Sequence, residues 1–129
     1  MIVVVEGING AGKTMVARML ADLLSTDYRL RVDIADPALH TPFGRGIWSS
    51  IMETRDLGAD AQLLAFASAR LDGSAAIASL LRVSPRRVVI LERWSGALEA
   101  YGLAEEVDGH LLDAVLARMA RALPVEAQY

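Results

Sequence analysis

The apolar positions of this chain fall into two rhythms. Ile2 to Val5 is an unbroken β-branched run, the pattern of a strand buried on both faces of a parallel sheet. A glycine-rich turn follows. Met15, Val16, Met19, Leu20, Leu23 and Leu24 then recur at helical spacing as far as Ser25. Leu30 to Ala35 predicts a second strand, ended by Asp36-Pro37 because proline disfavours further pairing. Ile47, Trp48, Ile51 and Met52 mark a short amphipathic helix after Gly44. Asp60 is expected to cap a longer helix, apolar at Leu63, Leu64 and Ala67 and continuing past Gly73 to Leu81. Pro85 breaks the chain, and Val88 to Leu91 is the third expected strand. Asp108 is expected to cap a last helix carrying Leu111, Leu112, Val115, Leu116 and Met119, with Pro124 stopping it. The order β-α-β-α-α-β-α is that of a doubly wound α/β domain with right-handed crossovers.

Composition narrows the class. The 129 residues suit one domain, residues 1–129, and 53% hydrophobic against 22% charged residues is a globular balance. No stretch approaches the roughly 18 uncharged residues that a membrane span needs, and the N-terminus lacks the basic start of a signal peptide. The absence of cysteine excludes disulfides and thiolate metal sites, and fits a reducing cytoplasm, which is the expected location. A net charge of −3 argues against a nucleic-acid backbone binder. Neither nucleic acid nor membrane is expected as a partner. His40 and His110 match no metal-ligand spacing, and Trp48 and Trp94 read as packing groups.

One charge changes the picture. Of the 13 basic residues only Lys13 is a lysine, and it lies within the glycine-rich turn. Gly7-Ile8-Asn9-Gly10-Ala11-Gly12-Lys13-Thr14 matches G-x-x-x-x-G-K-[ST], the phosphate-binding loop pattern, directly after a buried strand and before a helix. Glycines let successive backbone N–H groups turn inward around an anion, and the next helix aims its positive end at the same place. Gly7, Asn9, Gly10, Ala11 and Gly12 would cradle ATP phosphates, Lys13 would reach the β- and γ-phosphates, and the Thr14 hydroxyl would ligate Mg²⁺. The pattern is specific for phosphate and silent about a second substrate.

Further stretches resemble the thymidylate kinase family, in order and at similar spacing. Val4-Val5-Glu6-Gly7 through Thr14 is similar to its opening strand and loop, and Asp36-Pro37 with Thr41-Pro42-Phe43-Gly44 to its E-P-G-G-T-P-x-G segment. Leu63-Leu64-Ala65-Phe66-Ala67-Ser68-Ala69-Arg70 resembles its L-L-F-A-A-D-R helix. Glu92-Arg93-Trp94 stands where the family has Asp-Arg-Tyr, and Tyr101 where a tyrosine follows. The resemblance implies a P-loop NTPase-type parallel sheet and transfer of a phosphoryl group from ATP to dTMP, with Mg²⁺. It implies that Phe66 stacks on the base, Arg70 meets the base edge, and Pro37 and Asn9 lie at the acceptor. Arg93 would hold the acceptor phosphate and act with Lys13 in catalysis, Glu92 would reach Mg²⁺ through water, and Tyr101 would favour deoxyribose. Read without the family, Phe66 and Tyr101 are ordinary packing aromatics, Arg70 and Arg45 solvated charges, and Glu92 half of a surface ion pair.

The family pattern is also departed from. Asn9 replaces its loop aspartate, Ala38-Leu39-His40 its glycine pair, and Trp94 its tyrosine. The family continues into a fourth strand, an arginine-bearing lid and a fifth strand, and Leu123 to Tyr129 falls near the start of that fourth strand. Three strands are therefore expected, with the strand Ile2 to Val5 at an open sheet edge that a homodimer or partner chain would cover. The loop positions Ile8, Asn9, Gly10 and Ala11 supply no catalytic arginine. Two alternatives stay open: a deoxynucleoside kinase, whose Glu-Arg pair Glu92-Arg93 matches, and a truncated nucleotide-binding module without turnover.

Overall fold

β1 (Ile2–Val5) alternates its side chains between two apolar layers, as the period of two in a strand requires. Ile2 and Val4 join the larger core with Leu63, Ile77, Leu91, Trp94, Leu98 and Met119, while Val3 and Val5 pack with Ala17, Val88 and Ile90 on the opposite face. This computed structural model describes residues 1–84 and 86–123, and the backbone of residues 127–128. The turns expected at Pro85 and Pro124 lie outside the described residues.

The elements follow as α1 (Lys13–Thr26), β2 (Arg31–Ala35), a 3-10 turn (Pro37–Leu39), α2 (Pro42–Glu53) and α3 (Ala59–Val83). Then come β3 (Arg87–Glu92), α4 (Ser95–Ala104), α5 (Gly109–Ala120) and β4 (Ala127–Gln128). All strand pairs are parallel, in the order β2-β3-β1-β4. The three expected strands form the body of the sheet. β4 adds two residues beside Ile2 and Val3, so this flank of β1 is paired over half its length among the described residues.

Several local expectations are revised. α1 turns Ala17, Leu20, Ala21 and Leu24 to the sheet and leaves Met15, Val16, Met19 and Leu23 exposed. α2 starts earlier than its apolar spacing suggests, because the Thr41 hydroxyl accepts the Gly44 N–H at 3.0 Å and Pro42 suits the first turn. Gly58, not Asp60, caps α3, and Asp60 sits in its first turn. α3 is long and apolar enough by composition to cross a membrane, yet it packs on α2, α4, α5, β3 and the 3-10 turn and buries Arg70. α4 was not expected at all. Trp94, at its start, is fully buried as a packing group, 1% exposed.

Two glycines set the turn after β2. A Cβ at Gly73 of α3 would lie 2.8 Å from the Pro37 carbonyl carbon and nearer still to its oxygen, and one at Gly44 would lie 3.1 Å from the Ala38 carbonyl carbon. Both helices thus press against the backbone of the 3-10 turn. Pro37 is fully buried as a result.

Candidate active site

The carboxyl ends of β1, β2 and β3 converge, as parallel α/β sheets require of their ligand crevice. β1 runs through Glu6 into the loop Gly7–Gly12. Gly7, Gly10 and Gly12 take φ values of 148°, 81° and 80°, conformations that L side chains rarely adopt. The Ala11 N–H donates to the Ile8 carbonyl at 3.2 Å, closing the loop, and Lys13 Nζ donates to the same oxygen at 2.6 Å. Gly12 caps α1 with no side-chain acceptor, so its first N–H groups are available to an anion.

A cavity of about 500 Å³ opens here, lined by Gly10, Gly12, Lys13 and Thr14 of the loop, Asp36 and Leu39 beyond β2, Trp48 of α2, and Glu92 and Arg93 at the end of β3. Lys13 and Arg93 are the cations in this lining. Burial pushes the Asp36 carboxyl above its ordinary value, opposed by the Ala38 N–H it accepts at 2.9 Å and by Arg70 and Arg93, while Glu92 adds to the rise. Glu92 Oε1 is buried with no hydrogen-bond partner.

A second cavity, about 290 Å³, adjoins it and shares Trp48 and Arg93. Its remaining lining is Asn9, Gln62, Phe66, Arg70, Ala97, Leu98 and Tyr101. Phe66 and Arg70 lie one turn apart on α3, and the Arg70 guanidinium stands 5.8 Å from the Phe66 ring centre. Tyr101 meets Phe66 edge-on, centroids 5.9 Å apart, and Trp48 tilts over it at 5.5 Å. Arg70 is 5% exposed; among the described residues its one contact to a protein acceptor is a long 3.5 Å approach to the Phe66 carbonyl, and Nε has none. Burial lowers its pKa, opposed by Asp36 and Glu6 and reinforced by Arg93. Buried donors are rarely left unpaired, so this fork facing a hollow is suited to a ligand's acceptors.

Of the residues expected at the site, Asn9, Phe66, Arg70, Arg93 and Tyr101 meet in the second cavity, and Gly10, Gly12, Lys13, Thr14, Glu92 and Arg93 in the first. Gly7 and Asn9 flank a third hollow behind the loop, with Glu6 and Gly96. Ala11 lines none of these three. Pro37, the first residue of the 3-10 turn, is buried against α3 and lines none of them either; it shapes the turn that follows Asp36. Arg45 donates to the Leu39 and His40 carbonyls, the latter at 3.4 Å, and so serves the turn. Trp48, read as packing, lines both of the first two cavities and packs on Phe66. Gln62 was missed, although it precedes Phe66 by four residues and so shares its helix face.

The sequence profile of the thymidylate kinase family matches residues 5–124. The chain belongs to the thymidylate kinase family. Among solved structures, a thymidylate kinase from Ehrlichia chaffeensis superposes with a TM-score of 0.80 at 22% identity, covering 98% of this chain and 71% of that one. That likeness shows a shared fold. No curated protein sequence matches the chain.

Membership of the thymidylate kinase family supports a nucleotide kinase role, and the site accommodates what such a role needs. Thr14 and Glu92 both line one cavity, and their oxygens are hard donors of the kind that fits Mg²⁺ held mainly by phosphates and water. No group of three or more acidic, histidine or cysteine side chains that could hold a metal occurs among the described residues. Asn9, the departure from the family's loop aspartate, accepts a hydrogen bond from Arg93 through its Oδ1.

Proposed function

We propose that this chain transfers the γ-phosphoryl group of ATP to the 5′-phosphate of dTMP. The observation that carries the reading is the position of Arg93, in the wall common to the phosphate-loop cavity and the aromatic hollow. A guanidinium there can hold an acceptor phosphate in line with a γ-phosphate bound beside Lys13. An oxygen of the acceptor phosphate forms the new bond to phosphorus as the β–γ bridge breaks and ADP leaves.

The chain's residues divide the work by chemistry. Backbone N–H groups of Gly10 to Lys13 and the Lys13 ammonium neutralise the donor phosphates, and Thr14 and Glu92 would hold a Mg²⁺ ion that offsets their remaining charge. The Phe66 face offers a stacking platform for thymine, and the Arg70 guanidinium meets the base's carbonyl edge. Tyr101 closes the sugar end and disfavours a 2′-hydroxyl. A thymidine acceptor would leave Arg93 without a phosphate, which sets the monophosphate above the nucleoside.

ADP release is the measure, with dTMP, thymidine, deoxycytidine and UMP as acceptors and Lys13→Ala as control. ADP formation with dTMP, lost in Lys13→Ala, is expected. Faster turnover of either nucleoside would overturn the assignment in favour of a deoxynucleoside kinase. Because Ile8, Asn9, Gly10 and Ala11 bring no arginine to the loop, a second reading is binding without turnover, seen as saturable ATP and dTMP binding with no ADP.

A further inference from the structure

We propose that Glu6 is a positioning residue that fixes Arg93 at the junction of the two cavities. Glu6 stands between the end of β1 and Gly7. Its Oε1 accepts the Trp94 N–H at 2.7 Å and the Gly96 N–H at 3.1 Å, across 88 and 90 residues of chain. These are amides of the first turn of α4, whose N-cap, Trp94, provides no side-chain cap of its own. A carboxylate at that point satisfies two free donors and meets the positive end of the helix.

The consequence falls on Arg93. Its φ is 75°, a left-handed conformation disfavoured for any residue but glycine, so the surroundings must hold it. They do so from both sides. The Arg93 N–H donates to the Val5 carbonyl at 3.0 Å, and the next N–H, that of Trp94, is held by Glu6. Successive residues at the end of β1 thus grip successive residues after β3, and the kink between them sends the Arg93 side chain to Asn9. Gly96 supplies the space: a Cβ there would lie 3.2 Å from Glu6 Oε1 and 3.3 Å from its carboxyl carbon. Since Glu6 precedes Gly7 directly, the phosphate loop and Arg93 are held in register as one unit. Only the ligand arm of the test rests on the acceptor reading of Arg93.

Glu6→Ala, Glu6→Gln and Gly96→Ala are compared with the unaltered chain by amide hydrogen exchange, by the Arg93 Nε–H resonance, and by titration with Mg·ATP and with dTMP. Removing a hydrogen-bonded anchor of this kind is expected to speed exchange at Trp94 and Gly96 by about tenfold or more in Glu6→Ala. The Arg93 resonance should move, and dTMP should weaken about tenfold while Mg·ATP stays within about twofold. Glu6→Gln keeps an acceptor oxygen and should return all three readouts towards the unaltered chain. Gly96→Ala crowds the carboxylate from the other side without altering Glu6, and should reproduce the Arg93 shift even if Glu6→Ala does not fold. Unchanged exchange at Trp94 and Gly96 would overturn the proposal, as would parallel loss of both nucleotides. If the unaltered chain binds no dTMP, the acceptor reading falls, while the Arg93 resonance still decides the role of Glu6.

Discussion

Two glycine-to-alanine changes inside helices should move stability in opposite directions, although helix propensity favours both. At Gly46 of α2 the glycine is exposed and an added Cβ meets nothing within 4 Å. Gly46→Ala should therefore gain up to about 1 kcal/mol from propensity alone. At Gly73 of α3 the same methyl would lie 2.8 Å from the Pro37 carbonyl carbon and 3.1 Å from its Cα. Carbon pairs rest at about 3.5–4.0 Å and the Pro37 oxygen would lie nearer still, so α3 and the 3-10 turn must part by more than about 1 Å. Every obstructing atom is backbone, which cannot swing aside as a side chain would. Overpacking of this kind costs about 3 kcal/mol at the upper end, and the propensity gain leaves a net loss of about 2 kcal/mol. For a chain this size that is a fall in Tm of about 6 °C, against a rise of about 3 °C for Gly46→Ala. Thermal melts followed by circular dichroism measure both. Because Gly73 lies three residues beyond Arg70, dTMP affinity should fall with it. A Gly73→Ala protein melting at or above the unaltered chain would refute the close approach of α3 to Pro37, and with it the account of how Asp36 is presented.

Three further outcomes follow from named contacts. Phe66→Ala should weaken dTMP by about 1–3 kcal/mol, the worth of one base–aromatic stack, with Mg·ATP affinity unchanged in calorimetry; equal loss of both would contradict the platform role. Thr41→Ala removes the acceptor for Gly44 N–H and a 2.5 Å hydrogen bond to Asp72 Oδ2, and should destabilise by about 1–2 kcal/mol in urea melts, with Thr41→Ser near the unaltered value. Asp36→Asn tests the raised carboxyl pKa. The folded state binds the Asp36 proton more tightly than the unfolded state, so stability from this group is present below the ordinary carboxyl value and is lost as pH rises through the raised one. The asparagine oxygen keeps the Ala38 N–H bond without ionising, so Asp36→Asn should gain on the unaltered chain as pH rises above the ordinary carboxyl value of about 4, and level off above the raised one. A gap that closes with rising pH would contradict burial as the dominant cause.

The phosphate loop was legible in the sequence because its chemistry is local. Three glycines, one lysine and one threonine at fixed spacing dictate the backbone and the charge, whatever surrounds them. β1 and the centre of β3 were equally plain, since a strand covered on both faces reads as an apolar run, whereas β2, with Arg31 and Asp33, was marked by its end at Asp36-Pro37. Phe66 and Arg70 could be paired from their spacing on one helix face, and the wider family pattern placed Arg93 and Tyr101 with them. Thr41-Pro42 was a readable cap that apolar spacing alone overlooked.

What the sequence could not decide depends on groups far apart in the chain. α4 begins where it does because Glu6 caps it from 88 residues away, and no local signal announces such a start. Arg93 takes a conformation its own residue type resists, held by β1 on either side of the kink. The burial of Arg70 follows from the packing of α3 into the core, and the contact of Trp48 with Phe66 from the packing of α2 against α3. The burial of Pro37 follows from Gly73 and Gly44, which let two helices close upon its turn. Periodicity reports which face of an element avoids water. Only the packing of elements against one another decides which polar groups are left turned towards a ligand.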